Sequence, residues 1–310
     1  MSGLGSRRLD EMSTPHRIAR VALRVSASAG YALPWFFLVV FFFVPLLLTI
    51  VWSTWESNGF WIEPGFTTAA YDQFFDGART STLERSLTLG AITTAVGLLV
   101  SYPIAYYLAF RARPTITRLL LIAFAFPFLV NYIIREVSWV QILGRDGVVN
   151  RILLDAAGVG PIDWLLFSQF AVAVGLFTAY MPFMVFPIWL SLNGIDRSLI
   201  EASSTLGGRP WRTLLRVILP LSMPGVFAAV IFCFVGSFGD SAVPSILGGG
   251  SFQLIGNTIS SSLSSLNYPL AAAISSVVVI IMSLLLVGWI LLFDIRTLLG
   301  KAVGWGRGTQ

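Results

Sequence analysis

The chain has 310 residues, 56% of them hydrophobic and 11% charged, with a mean hydropathy of +0.81; soluble domains carry about a quarter of charged residues, so the composition excludes one and marks a polytopic membrane protein. A single cysteine, Cys233, and a single histidine, His16, exclude a disulfide framework and a Cys/His metal centre. The net charge of +5 and the pI near 9.7 do not point to nucleic acid, because the basic residues are spread among short loops with no aromatic-interleaved basic patch.

Residues 1–30 form a basic tail (Arg7, Arg8, Arg17, Arg20, Arg24), expected to be partly helical along the membrane surface. The apolar run behind it is too long for a signal-peptide core and lacks a small-residue cleavage site, so it reads as an uncleaved membrane helix. This first span runs from about Pro34 to Trp55, with Trp35, Trp52 and Trp55 placed as interfacial anchors. Residues 56–83, with Glu56, Glu63, Asp72 and Asp76, are too polar for lipid and make an outer loop. A second span, about Ser86 to Phe110, closes on the basic turn Arg111-Ala112-Arg113-Pro114, and a third runs from about Arg118 to Leu143.

The third span ends in a polar patch, Asn131 to Trp139, that contains Arg135 and Glu136. Charges at membrane depth are costly and face a cavity or a partner. Arg135 and Glu136 stand about 100° apart on a helix and are not expected to pair with each other. Glu136 either lines a substrate route or is an interfacial structural charge, and Asp240, at the outer end of the fifth span, has the same two readings. Residues 144–167 form an outer excursion around a short helix, turned by Gly144-Arg145-Asp146-Gly147 and Gly158-Val159-Gly160-Pro161.

The fourth span, about Gln169 to Leu192, is expected to bend at Pro182 and Pro187. It enters a charged island, residues 193–220, trapped between two apolar runs. Within the island a short amphipathic helix leads to Gly207-Gly208, a helix stop, and Pro210 restarts a helix. The fifth span, about Pro224 to Phe238, emerges at Gly239-Asp240. Residues 241–268 are too polar for lipid and suit a short re-entrant or surface helix. The sixth span is about Leu270 to Phe293, and a basic tail, 297–310, follows.

Fifteen of the twenty basic residues fall on the side of the two tails, the 111–118 turn and the 193–216 loop. The positive-inside rule therefore places both termini and the charged island in the cytoplasm.

The order Glu-Ala-small, then Gly, then an aliphatic residue and Leu-Pro resembles the EAA loop of ABC-importer permeases. Its residues here are Glu201, Ala202, Ser203, Gly207, Val217, Leu219 and Pro220. Ser203 stands where that family usually has a second Ala, and Val217 where it often has Ile. Within the family the spermidine/putrescine class is most similar: Gly239-Asp240-Ser241-Ala242-Val243-Pro244-Ser245-Ile246-Leu247-Gly248-Gly249 resembles its Gly-Asp-Phe-x-x-Pro-x-Leu-Leu-Gly-Gly segment, and Arg135 to Trp139 its Arg-x-x-x-Trp stretch. Tyr71-Asp72-Gln73-Phe74-Phe75 is similar to the segment before the second helix, and Ser241 replaces the usual aromatic.

The resemblance implies an all-α, six-span, MetI-like fold of type I importers, one transmembrane domain over 31–296 with a cytoplasmic coupling helix. It implies alternating access driven by an ABC ATPase dimer, a second related permease and a periplasmic binding protein, in the bacterial inner membrane. ATP and Mg would be bound by the ATPase, with no cofactor in this chain. In this role Glu201 engages the ATPase, Gly207 allows the tight turn, and Pro220 ends a second short helix before the fifth span. A cationic polyamine would suit Glu136 and Asp240, with Tyr132, Trp139 and Phe238 adding cation–π contacts or else serving packing. The EAA loop also serves importers of iron(III), opines or sulfate. An ATPase-independent channel is a further reading. A membrane enzyme is disfavoured: Gly248-Gly249-Gly250-Ser251 lacks the lysine of a nucleotide-binding loop, and the spans hold no histidine for a serine triad.

Overall fold

The structure, a computed structural model, describes residues 33–293 apart from 59, 60, 77, 159, 160 and 251; the readings of the 1–30 and 297–310 tails lie outside the described residues. Helices dominate because a chain in lipid must satisfy its backbone hydrogen bonds within each segment. Five of them are long and apolar enough to cross a membrane: α1 (Leu33–Trp52), α3 (Arg79–Phe110, preceded by Ala78), α7 (Gln169–Asn193), α9 (Pro210–Gly239) and α12 (Tyr268–Phe293). Shorter helices are α2 (Ala69–Phe75), α4 (Pro114–Ala125), α5 (Tyr132–Leu143), α6 (Val148–Ala157), α8 (Arg197–Thr205), α10 (Ala242–Leu247) and α11 (Ile255–Ser264).

The expected third span is not one helix. A 3₁₀ turn, Phe126–Phe128, ends α4 around Pro127, and Asn131 starts α5 afresh, its side chain accepting from the Ile133 N–H at 2.9 Å. Because α3 and α7 both run towards a basic loop, α4 and α5 together must return the chain between them, which makes a broken sixth crossing. Also unforeseen is a minimal antiparallel hairpin in the outer loop, β1 (Glu56–Ser57) against β2 (Ile62–Glu63), with Glu56 opposite Glu63.

The expected start of the fifth span near Pro224 is corrected too. Helix α9 runs unbroken through Pro220 and Pro224, so Pro220 does not end a separate short helix. A π-turn, Leu214–Ile218, makes this tolerable: the Leu219 N–H reaches back five residues to the Leu214 carbonyl, and the next residue, Pro220, has no N–H to donate. The register returns to α at the one position that cannot supply the missing bond. The same device recurs in α1, where the Val44 N–H closes a π-turn over Val39–Phe43 and Pro45 follows. Helix α7 likewise continues through Pro182 and Pro187.

Three helices form the centre: α3, α7 and α9 pack on one another more extensively than any other elements, with α12 outside them and α1 laid on α12. Lipid gives no hydrophobic drive between helices, so close backbone approach at small residues must hold them. A Cβ on Gly97 of α3 would lie 2.6 Å from Met184 Sδ of α7, and one on Gly236 of α9 would lie 2.2 Å from a ring carbon of Tyr180. At Gly225 of α9 it would lie 2.4 Å from the Pro187 carbonyl oxygen, where no side chain can give way.

Beyond α9, two short helices, α10 and α11, stand where one was expected over residues 241–268. Ser86 Oγ of α3 accepts from the Ile255 N–H at 2.8 Å, and Asn257 Nδ2 donates to Ser245 Oγ at 2.6 Å. The excursion after α5 is pinned by buried Asn150, which donates to the Gly144 carbonyl at 3.0 Å and accepts from the Ile162 N–H at 2.9 Å.

Replacing Gly225 by Ala should lower the stability of the detergent-solubilised protein by about 1–3 kcal/mol through overpacking against backbone. Gly288→Ala, where an added methyl meets nothing within 4 Å, should leave the thermal midpoint unchanged. Equal midpoints for both variants would contradict the packing described.

Candidate functional site

Two polar constructions stand out against the apolar helices, one at each end of α9. At the N-terminal end of α9, Asp196 caps the preceding α8, its side chain accepting from the Ser198 N–H at 2.9 Å. That backbone hydrogen bond holds the exposed Asp196 carboxyl below its ordinary range. The cap is therefore fully made above the ordinary carboxylate range and is lost only as the pH falls through the lowered value.

Helix α8 stops in a Schellman motif: the Gly208 N–H bonds the Ser203 carbonyl at 2.9 Å and the Gly207 N–H the Ser204 carbonyl at 3.0 Å. Gly207 sits at φ +77°, where a side chain is strained. Pro210 then occupies the first turn of α9. Ser203 Oγ and Thr213 Oγ1, 2.9 Å apart, tie the two helices across the corner. Ala202 and Glu201 face solvent, and the Glu201 carboxylate makes no bond among the described residues. Leu206 and Trp211 are 88% and 67% exposed, an apolar tip on a charged loop. Val217 and Leu219 are half-buried inside α9, away from that tip.

At the C-terminal end of α9, Asp240 directly follows the helix and is almost buried. Its Oδ1 accepts from the Ala242 and Val243 N–H groups at 2.9 and 3.0 Å, capping α10. Its Oδ2 accepts from the hydroxyls of Tyr132 in α5 and, at 3.0 Å, Tyr180 in α7. One carboxylate thus joins α5, α7, α9 and α10.

Glu136, one helical turn beyond Tyr132, is fully buried. Contrary to expectation it pairs with its neighbour: Arg135 Nε lies 3.5 Å from Oε1. The guanidinium also lies over the Tyr132 ring, 5.2 Å from its centroid. The other oxygen, Oε2, has no hydrogen-bond partner among the described residues. It faces Gly175 of α7, where an added Cβ would come within 2.9 Å of it and within 2.7 Å of Val243.

Of the five pathway candidates, the structure brings Tyr132, Glu136 and Asp240 together at this end. Trp139 packs half-buried on the neighbouring apolar cluster of Leu143, Leu176 and Leu247. Phe238 is elsewhere, fully buried with Phe74, Ile255 and Ile274 and stacked on Phe234 at 6.2 Å. Sequence reasoning missed Tyr180, Gly175 and Thr213. Tyr180 alone carried a usable signal, because a hydroxyl in the middle of an apolar span must find a partner.

Residues 94–297 match the family of binding-protein-dependent transport system inner membrane components, and the chain belongs to that family: it is a membrane permease component of an ABC importer. The spermidine/putrescine transport system permease protein PotB of Haemophilus influenzae is 31% identical over 252 residues, covering 80% of this chain and 87% of that protein. PotB of Escherichia coli is 32% identical over 258 residues, covering 81% and 92%. The inner membrane ABC transporter permease protein YdcU of Escherichia coli is 30% identical over 270 residues, covering 82% and 85%. Among solved structures, a bacterial ABC transporter involved in the import of alginate superposes with a TM-score of 0.68 at 15% identity, covering 86% of this chain and 96% of that one. The shared fold is the all-α importer-permease fold.

A methyl at Gly207 must enter the left-handed region at a cost of about 1–2 kcal/mol. Gly207→Ala should therefore speed amide hydrogen exchange at residues 207 and 208, whereas Gly194→Ala, at φ −79° with only ordinary contacts, should not change exchange at its own corner. Unchanged exchange in Gly207→Ala would contradict the rigid corner.

Proposed function

We propose that this chain carries polyamines across the bacterial inner membrane by alternating access, driven by an ABC ATPase dimer that docks on the α8 corner. The observation that carries the reading is that corner: capped at both ends, cross-tied by Ser203 and Thr213, and ending in exposed Leu206 and Trp211. A closing ATPase must push on something that does not deform, and a short helix fixed between a capped start and a Schellman stop meets that need. Glu201, Ala202 and Gly207 line the exposed surface, and α9 carries the displacement to the outer end. The basic-loop asymmetry favours cytoplasmic tails and a cytoplasmic corner.

ATP and Mg are bound by the ATPase in this scheme. A second permease completes the route, in keeping with the 26% identity to the spermidine/putrescine permease PotC of Escherichia coli. A periplasmic binding protein delivers cargo, as in the alginate transporter complexed with its pentasaccharide-bound periplasmic protein. Polyamine cargo is favoured by the names of the relatives above 30% identity and by the buried carboxylate Glu136 at the outer end of the bundle.

Co-expression with a cognate ABC ATPase, second permease and periplasmic binding protein, followed by proteoliposome uptake of labelled spermidine, tests the reading. Uptake should require ATP, and Glu201→Ala and Trp211→Asp should each abolish it while membrane insertion stays normal. Spermidine entry without ATP, or undiminished in both variants, would refute coupling through this corner.

A further inference from the structure

The two outer carboxylates are not equivalent. Asp240 already accepts four hydrogen bonds, two from backbone amides and two from tyrosine hydroxyls. A carboxylate offers about four lone-pair sites, so Asp240 has no acceptor left for a cargo cation unless α5, α7 or α10 lets go of it. Glu136 is the reverse case. Among the described residues one oxygen has no donor, and the other has only a long contact to its chain neighbour. A buried carboxylate left alone in a low-dielectric setting is costly, so a residue this incompletely met is maintained for something that is not always there.

Arg135 shows what that is. Its guanidinium is partly exposed, with 18% of the side chain accessible, and is shared between Glu136 and the Tyr132 ring. It can leave the carboxylate for the ring and the outer surface without losing every favourable contact. We infer that Glu136 receives an ammonium group of the cargo and that Arg135 occupies its place in the empty transporter, the two cations exchanging on one carboxylate. The exchange keeps Glu136 compensated in both states, so the empty permease can reset without a bare buried charge. Gly175 belongs to the same construction, because even one added carbon there would press on Oε2 and on Val243 and Leu247. Asp240 is then a positioning residue that fixes Tyr132, and through it the resting place of the guanidinium. The inference rests on the polyamine reading above.

The test is spermidine uptake by the assembled complex in proteoliposomes. Glu136→Gln should raise KM about tenfold or more, the worth of one charge-assisted contact, with a smaller change in kcat. Arg135→Gln removes the competing cation and should lower KM. A structural ion pair would instead make the two variants alike. Where Arg135→Gln leaves too little assembled protein, the neutral double variant R135Q/E136Q serves in its place and should share the high KM of Glu136→Gln. A wild-type KM in Glu136→Gln or in the double variant overturns the exchange while leaving polyamine import standing. A wild-type complex that takes up no polyamine overturns both.

Discussion

Helix α9 is the constraint on which the rest of the molecule depends. It is one continuous helix of 30 residues, about 45 Å long at 1.5 Å per residue. It begins at the α8 corner and ends one residue before Asp240. Each end is fastened to other elements by side-chain hydrogen bonds, at the corner through Thr213 and Ser203 and at the outer end through Asp240 with Tyr132 and Tyr180. Along its length, Gly225 lets it lie against the α7 backbone at Pro187, and Gly236 makes room for the Tyr180 ring. A displacement imposed at the corner therefore has few ways to dissipate before it reaches the polar cluster. The π-turn at Leu214–Ile218 is the least regular part of the helix, and it lies just inside the corner, where the loop meets the bundle.

How much of this was legible in the sequence followed from how local each feature is. The corner was readable because Gly207, Gly208 and Pro210 fix their own backbone: a glycine for positive φ and a proline for a first turn need no knowledge of the rest of the fold. The spans were readable because hydropathy is summed over about 20 residues. Prolines within spans misled in both directions. Pro127 breaks a run that reads as continuous, while Pro220 and Pro224 pass inside a helix that reads as interrupted, the π-turn absorbing the first of them. The Asp240 cluster was only half legible. Its bonds to Tyr132 and Tyr180 span 108 and 60 residues, separations that no periodicity encodes. Phe238 shows the converse error, since closeness to Asp240 in sequence does not place it in the same cluster when the two side chains leave the chain in different directions.

The broken third crossing gains meaning from what sits on it. Had residues 114–143 formed one helix, Tyr132 and Glu136 would have been fixed to the same rigid body as the basic turn at its inner end. The 3₁₀ turn at Phe126–Phe128 and the fresh start at Asn131 separate α5 from α4, so the outer polar cluster has a short element of its own. Helix α5 carries Tyr132, Arg135 and Glu136 on about one turn, faces α7 through Gly175, and is fastened to the end of α9 through Asp240. It thus stands between the end of α9 and the carboxylate whose Oε2 has no hydrogen-bond partner among the described residues. A short helix in that place can shift without dragging a whole crossing with it, and its polar tie to the end of α9 is the bond from Tyr132 to Asp240. The end of α9 is thereby connected to the surroundings of Glu136 by two routes, through the Tyr132 hydroxyl and through α10, which follows Asp240 and packs on α5 with Val243 and Leu247 beside Oε2.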